Sequence, residues 1–296
     1  MVGKAERGIE SSLVVPWWSF TKTVLASAAL VLVGQQRLDL DEPIKGKRYT
    51  LRHLLQHTAG LPDYGRLPEY HAAVAAREEP WTEEELLRRV GAAELLFAPG
   101  TSWAYSNVGY LFVKEILERT GNADLDEVVR VLVFGPVGAH RAFIATSARH
   151  LDVTAWGNER RYHPGWVYHG LAVGPPSEAA LVLEAILYTG FLTDHLRCEL
   201  LRAVSVGGPF PGRPAVAPSY GLGVMIDSQC SLGLGRMVGH SGQGPGSTGA
   251  VYSFPDLTPP RTLAAFAPRD DADAQVVLEG HVLTLASDKE LDATSN

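Results

Sequence analysis

A serine and a lysine stand three residues apart in Trp18-Ser19-Phe20-Thr21-Lys22, at the mouth of an apolar run. On a helix, positions i and i+3 share a face, so the hydroxyl and the amine can touch. A serine hydroxyl is a poor nucleophile until an adjacent base takes its proton. A lysine amine serves as that base only when burial pulls its pKa down from about 10.4 toward neutrality. The run from Thr23 to Val33 carries no charge, and it would bury the helix and desolvate Lys22. Spacing alone is thin support. With 17 serines and 6 lysines in 296 residues, about 0.3 such pairs arise by chance.

Two further elements add to it. In Tyr105-Ser106-Asn107 a lysine ammonium nearby would lower the phenol's pKa, so a Tyr105 phenolate can share the base role. Asn107 can donate to a substrate carbonyl and accept from Lys22. Taken alone, Tyr-x-Asn reads as a loop tyrosine with an N-capping asparagine. In His240-Ser241-Gly242-Gln243 a glycine at the end of a strand lets a substrate lie close to the backbone. The amides of Gln243 and Ser19 would then form a pair of oxyanion donors. Taken alone, that segment reads as a Gly-rich turn between strands.

The elements that must position these groups divide along the chain. Helices are expected at 20–34, ending at Gly34, and at 50–57, stopping at Ala59-Gly60-Leu61-Pro62. Others follow from Thr82, from Val108 to Thr120, and from Glu178 to Tyr188. From 220 onward short apolar or alternating runs separated by turn residues read as antiparallel strands: 220–226, 236–240, 249–254 and 262–267. A terminal helix over about 272–286 would pack on them. The expectation is one α+β domain over 1–296, with an antiparallel sheet flanked by helices beside a mostly helical region. The helical region covers about 35–200; the sheet region covers about 1–18 plus 218–296. The site lies in the cleft between them.

Composition narrows the partners. The chain is 46% hydrophobic and 20% charged, with net charge −7 and no clustered basic face, which argues against nucleic acid. The apolar stretch from Val24 to Gly34 is about half of what a bilayer span needs. The first 18 residues show no signal peptide, so a cytoplasmic location is expected. Cys198 and Cys230 set no disulfide framework, two free thiols and one bridge both being compatible with the sequence. His53 and His57 are i, i+4 on a helix, but Leu54 stands where a zinc protease needs glutamate, so no metal is expected. Gly244 to Gly249 matches G-x-G-x-x-G, yet a strand follows it, so no dinucleotide cofactor is implied. Gly239-His240-Ser241-Gly242-Gln243 lacks the last glycine of a nucleophile elbow. His163 and His169 fall in an aromatic-rich loop that can border the cleft. Trp81, Trp156, Trp166, Tyr162 and Tyr168, in or near the loops 60–80 and 156–177, either shape an aromatic pocket or pack in the core.

Together, Ser19-x-x-Lys22, Tyr105-x-Asn107 and His240-Ser241-Gly242 resemble the signature of the serine β-lactamase and penicillin-binding superfamily, in the same order. The similarity is greatest to the class C β-lactamase, DD-peptidase and esterase branch. It extends to Gly34–Pro43, Leu51–Pro62 and Pro99–Tyr110, and so runs from about Pro16 to Phe254. The resemblance implies Ser19 as acylated nucleophile, Lys22 as its base partner and Tyr105 as second base. It implies Asn107 as a substrate-amide contact, His240, Ser241 and Gly242 along the strand edge, and the Gln243 amide in the oxyanion hole. No cofactor follows from it. The substrate would be a small-molecule ester, a D-amino-acid peptide or a β-lactam-like compound. The alternative is a penicillin-binding or sensing module that is acylated without turnover.

Two departures stand out. Members of the superfamily usually carry two strands and a helix before the nucleophile, more than the 18 residues present here. Either the sheet lacks strands on one side, or Ile9–Val15 supplies a single one. His240 also replaces the lysine of the third motif, removing a permanent cation for a substrate carboxylate.

Overall fold

Thr21–Gly34 form the central helix, α1, of the computed structural model, which describes residues 13–156 and 161–288. All residues from Thr21 to Leu30 are buried, because this charge-poor segment is apolar on every side and must be packed all round. A single turn of 3-10 helix, Trp18–Phe20, leads into it. Seven helices follow in the first two hundred residues: α2 (Leu51–Leu55), α3 (Pro68–Ala76), α4 (Glu83–Val90), α5 (Asn107–Gly121), α6 (Leu125–Val129), α7 (Gly135–Val137) and α8 (Pro176–Tyr188). Next comes α9 (Asp194–Leu201), and α1 packs against α5, α6, α8 and α9. Local chemistry sets several starts. Thr82, Ser106, Asp124 and Thr193 each accept a backbone N–H at their helix N-terminus, filling donors that the first turn leaves free.

Two sheets accompany the helices. The small one joins β1 (Val15–Pro16) and β2 (Phe143–Ala145) to the two sides of β3 (Leu171–Gly174), both antiparallel. The large one is a six-stranded antiparallel meander in chain order: β4 (Val204–Ser205), β5 (Pro218–Tyr220), β6 (Met225–Asp227), β7 (Met237–Gly244), β8 (Ser247–Phe254) and β9 (Arg261–Ala267). Side chains alternate across it. Val238 and Val251 join the helical core, whereas Met237, Ala250, Tyr252 and Phe254 pack beneath α10 (Ala274–Ser287) with Leu278, Val282 and Leu283.

The α+β architecture, with helices on the antiparallel sheet and a helical region beside it, is as expected. Four details differ. The run 220–226 is two strands, because Gly221–Val224 turns back on itself (Gly221 N–H to Val224 O, 2.9 Å) and presses on α1. Gly223 sits at φ +74°, where a Cβ would lie 2.5 Å from Ala26 Cβ, and its carbonyl accepts from Thr23 Oγ1. The described part of the leading segment is not in the large sheet: Val15–Pro16 pairs with β3, and residues 9–12 lie outside the described residues. The large sheet, in turn, begins at Val204 rather than near 218. Finally, β7 continues to Gly244, so His240 is in mid-strand rather than at an end. Both cysteines are free thiols.

Candidate active site

The turn that carries Ser19 is held by its neighbours. Trp17 N–H donates to Ala172 O and its indole to Gly174 O, tying the turn to β3. Trp18 adopts φ +45°, a region that an L side chain enters only when its surroundings impose it. Its indole donates to Ser247 Oγ at 2.9 Å and its ring lies against Gly244. Ser19 follows and remains partly exposed, one helical turn from the wholly buried Lys22.

Four expected residues converge. Lys22 Nζ lies 3.4 Å from Ser19 Oγ and donates to Asn107 Oδ1 at 2.7 Å. Tyr105 O–H donates to Ser19 Oγ at 2.9 Å. Asn107 is the first residue of α5, and Ser106 caps it. The asparagine amide is oriented by Asp63, whose Oδ1 accepts from both Asn107 N and Nδ2. Burial pulls the Lys22 ammonium down to about 7, against an opposing pull from Asp63. Tyr105 behaves differently from expectation. Burial pushes its phenol up, so the hydroxyl keeps its proton at neutral pH and the phenolate base is not favoured.

The third motif divides by the pleat of β7. Gly242 faces Ser19: a Cβ there would meet Ser19 N at 2.3 Å, so only glycine allows this approach. His240, on the same side, is fully enclosed and does not face the open cleft, a correction to its expected place along the substrate edge. Its Nε2 meets Tyr220 O–H at 2.9 Å and its Nδ1 meets Ser241 O at 2.6 Å. Because a carbonyl only accepts, Nδ1 carries the proton and Nε2 accepts from Tyr220. Burial and the nearby Lys22 hold this imidazole down at about 3, so it is neutral. Ser241 points the other way, toward α10, where its Oγ accepts from Arg213 at 2.9 Å and Gln275 Nε2 at 2.7 Å. Gln243 spends its side chain on the carbonyls of Asp270 and Asp271.

Pairing of β7 with β6 ends at Gly239. The strand edge beyond it opens on a cleft of about 390 Å³ whose lining includes Ser19, Asn107, Trp103, Phe210, Arg213 and Tyr252. Of the two alternatives for the loop aromatics, core packing is the one observed. Trp166 packs edge-on against Trp81 and Tyr70, Tyr162 against Trp18, and Tyr168 against Tyr64; Trp156 packs on the core. His53 and His57 turn to the backbone, accepting from Thr50 N and Ser106 N, and hold nothing jointly.

Sequence reasoning passed over three participants. Asp63 follows directly on Leu51–Pro62 but belongs to no motif. His169 puts Nε2 3.1 Å from Lys22 Nζ. Arg213, in a long loop, brings a permanent cation to the cleft lining, where it is paired with buried Glu279. Only the second of these carried any signal, as a histidine in a loop bordering the cleft.

Comparison with known proteins follows the same lines. Residues 4–274 match the family described as Beta-lactamase. A D-aminopeptidase of Cereibacter sphaeroides is 25% identical over 80% of this chain and 47% of its own length. Esterase EstB of Burkholderia gladioli is 32% identical over 40% of this chain and 36% of its own. The chain therefore spans about half, or less, of the curated relatives it matches. The fold is that of D-amino acid amidase from Ochrobactrum anthropi SV3, with a TM-score of 0.78, 21% identity, and coverage of 99% of this chain and 88% of that one.

Proposed function

The chain belongs to the beta-lactamase family, and from that premise we propose that it is a serine hydrolase cleaving an ester or amide through an acyl-enzyme on Ser19. The observation that carries the reading is the convergence of Lys22 and Tyr105 on a single oxygen, Ser19 Oγ. Lys22, half neutral near pH 7, takes the serine proton as Oγ attacks the substrate carbonyl. Tyr105 keeps its proton and stands beside Oγ, ready to pass it to the leaving group, with the new ammonium of Lys22 restoring it. Asn107 contacts the substrate amide, and the backbone N–H groups of Ser19 and Gln243 receive the oxyanion. Water then attacks the acyl-enzyme and releases the acid.

The names of the relatives, an aminopeptidase acting on D-residues and an esterase, support small esters and D-amino-acid amides or peptides as substrates. The open edge of β7 suits an extended backbone. A second reading, a module acylated without turnover, is favoured by one observation: neutral, enclosed His240 contributes no charge to activate water.

The test uses p-nitrophenyl esters, a D-alanine p-nitroanilide and a labelled penicillin, following intact mass over time. Steady release with a transient adduct, both abolished by Ser19→Ala, is the expected result. A stable adduct with no release favours the second reading. Absence of any adduct, or full activity in Ser19→Ala, overturns the nucleophile assignment.

A further inference from the structure

Counting hydrogens around Lys22 leaves one contact unexplained. A neutral amine has two N–H donors and one lone pair, and the lone pair must face Ser19 Oγ if Lys22 is the base. One N–H goes to Asn107 Oδ1, which can only accept because the Asn107 amide nitrogen is held by Asp63. Tyr105 has committed its O–H to Ser19. The remaining polar neighbour is His169 Nε2, at 3.1 Å.

We propose that His169 is a positioning residue for Lys22: its Nε2 accepts the second amine N–H and so turns the lone pair onto Ser19 Oγ. The proposal rests on the acyl-enzyme reading above. The opposite arrangement, with Nε2–H donating, would occupy the lone pair needed for base work and strand one amine N–H. The accepting tautomer puts the ring proton on Nδ1, and that atom is buried without a hydrogen-bond partner among the described residues. Nδ1 is unpaired in either tautomer, so the contact at Nε2 is the polar bond the ring makes among the described residues.

The frame is rigid enough for the purpose. His169 directly precedes Gly170, at φ +91°, and the start of β3 at Leu171. One residue further on, Ala172 accepts from Trp17 N and donates to Thr21 Oγ1, so the strand carrying His169 is stitched to the turn carrying Ser19. The groups facing the ring are Lys22 from α1, Tyr110 from α5, His57 and His240. Burial, with the amine of Lys22 beside it, keeps it well below the ordinary histidine range. It therefore stays a neutral acceptor. During acylation the proton moves from Ser19 Oγ to Lys22 Nζ, and His169 neither gains nor loses one.

Diisopropyl fluorophosphate, which labels an activated serine whatever the natural substrate, reads the effect. Labelling of Ser19 is followed by intact mass from about pH 5 to about pH 10 in wild type, His169→Phe and His169→Gln, each checked for folding by thermal melting. His169→Phe is expected to slow the plateau rate about tenfold or more. It should also move the acid limb to lower pH, since the Lys22 ammonium loses an acceptor. His169→Gln, whose side-chain oxygen can accept, should recover most of the rate. Wild-type labelling in His169→Phe, or equal losses in both variants with an unmoved limb, overturns the proposal. Ring 15N shifts on the wild-type protein give a second reading that no misfolded variant can confuse: protonated Nδ1 is expected, and protonated Nε2 overturns it. If wild type does not label at any pH, the acyl-enzyme reading itself falls, which is a different result from a labelled wild type indifferent to His169.

Discussion

Lys22 on the helical wall of the cleft and Arg213 near its sheet wall are both withdrawn from water, yet only Arg213 touches a carboxylate. Glu279 binds the guanidinium with both oxygens, and Ser241 accepts a further N–H. That pairing holds the Arg213 charge in place although burial opposes it. Lys22 meets a serine, an amide and an imidazole; the carboxylate of Asp63 is bonded to Asn107 instead. Uncompensated burial brings the amine down to about 7, where it can lend a lone pair. Compensated burial fixes a charge, whereas uncompensated burial makes a base.

The contrast can be broken from either side. The largest effect belongs to the chemical side: Lys22→Ala or Tyr105→Phe should slow acylation by roughly a hundredfold or more, measured as adduct formation under single-turnover conditions. Near wild-type rates in either variant would move the acid–base role elsewhere. On the other wall, Glu279→Gln strands the Arg213 guanidinium and should cost about 2–3 kcal/mol of stability, read in urea unfolding. A neutral result would mean that the pair contributes no net stability. In Lys22→Met the sign reverses. Replacing a fully buried amine that has no contacting counter-ion by an apolar chain should raise stability by about 1–2 kcal/mol while abolishing acylation. A loss of stability there would show that the amine's hydrogen bonds outweigh its desolvation.

The mildest test is the pH profile. In the proposed mechanism the reactive form of Lys22 is the neutral amine, so kcat/KM should be level above about pH 7 and fall as pH drops through that value. Arg213 stays charged throughout and His240 titrates only near pH 3, so neither adds a limb between pH 5 and 8. A profile flat down to pH 5 would mean that Lys22 is not the titrating base.

The site was readable in the sequence where it consists of short local patterns. Ser19 and Lys22 share a helical face, Asn107 opens the helix announced by the apolar stripe after Val108, and Gly242 lies on a strand with alternating pattern. The errors have physical causes. The run 220–226 looked like one strand because nothing local reports that Gly223 must press against Ala26. Tyr105 was expected as a phenolate because the ammonium beside it was foreseeable, while the depth of its burial was not. Whether Trp81, Trp156, Trp166, Tyr162 and Tyr168 line the cleft or the core stayed open, because a tryptophan in a loop looks the same whether it lines a cavity or closes a core.

Residue type, order and short-range spacing travel with the chain, and they were sufficient to single out Ser19, Lys22 and Tyr105, which the structure brings together, and the α+β class. The tertiary structure decided which charges keep their form. Lys22 meets His169 from 147 residues away, Asn107 from 85, and Trp18 meets Ser247 from 229. A pKa depends on how much water is removed and on which dipoles replace it, and both are set by contacts between segments far apart in the chain. The Ser19–Lys22 spacing is therefore written locally, but the basicity that makes it useful exists only after α1, α5, β3 and β7 have closed around it.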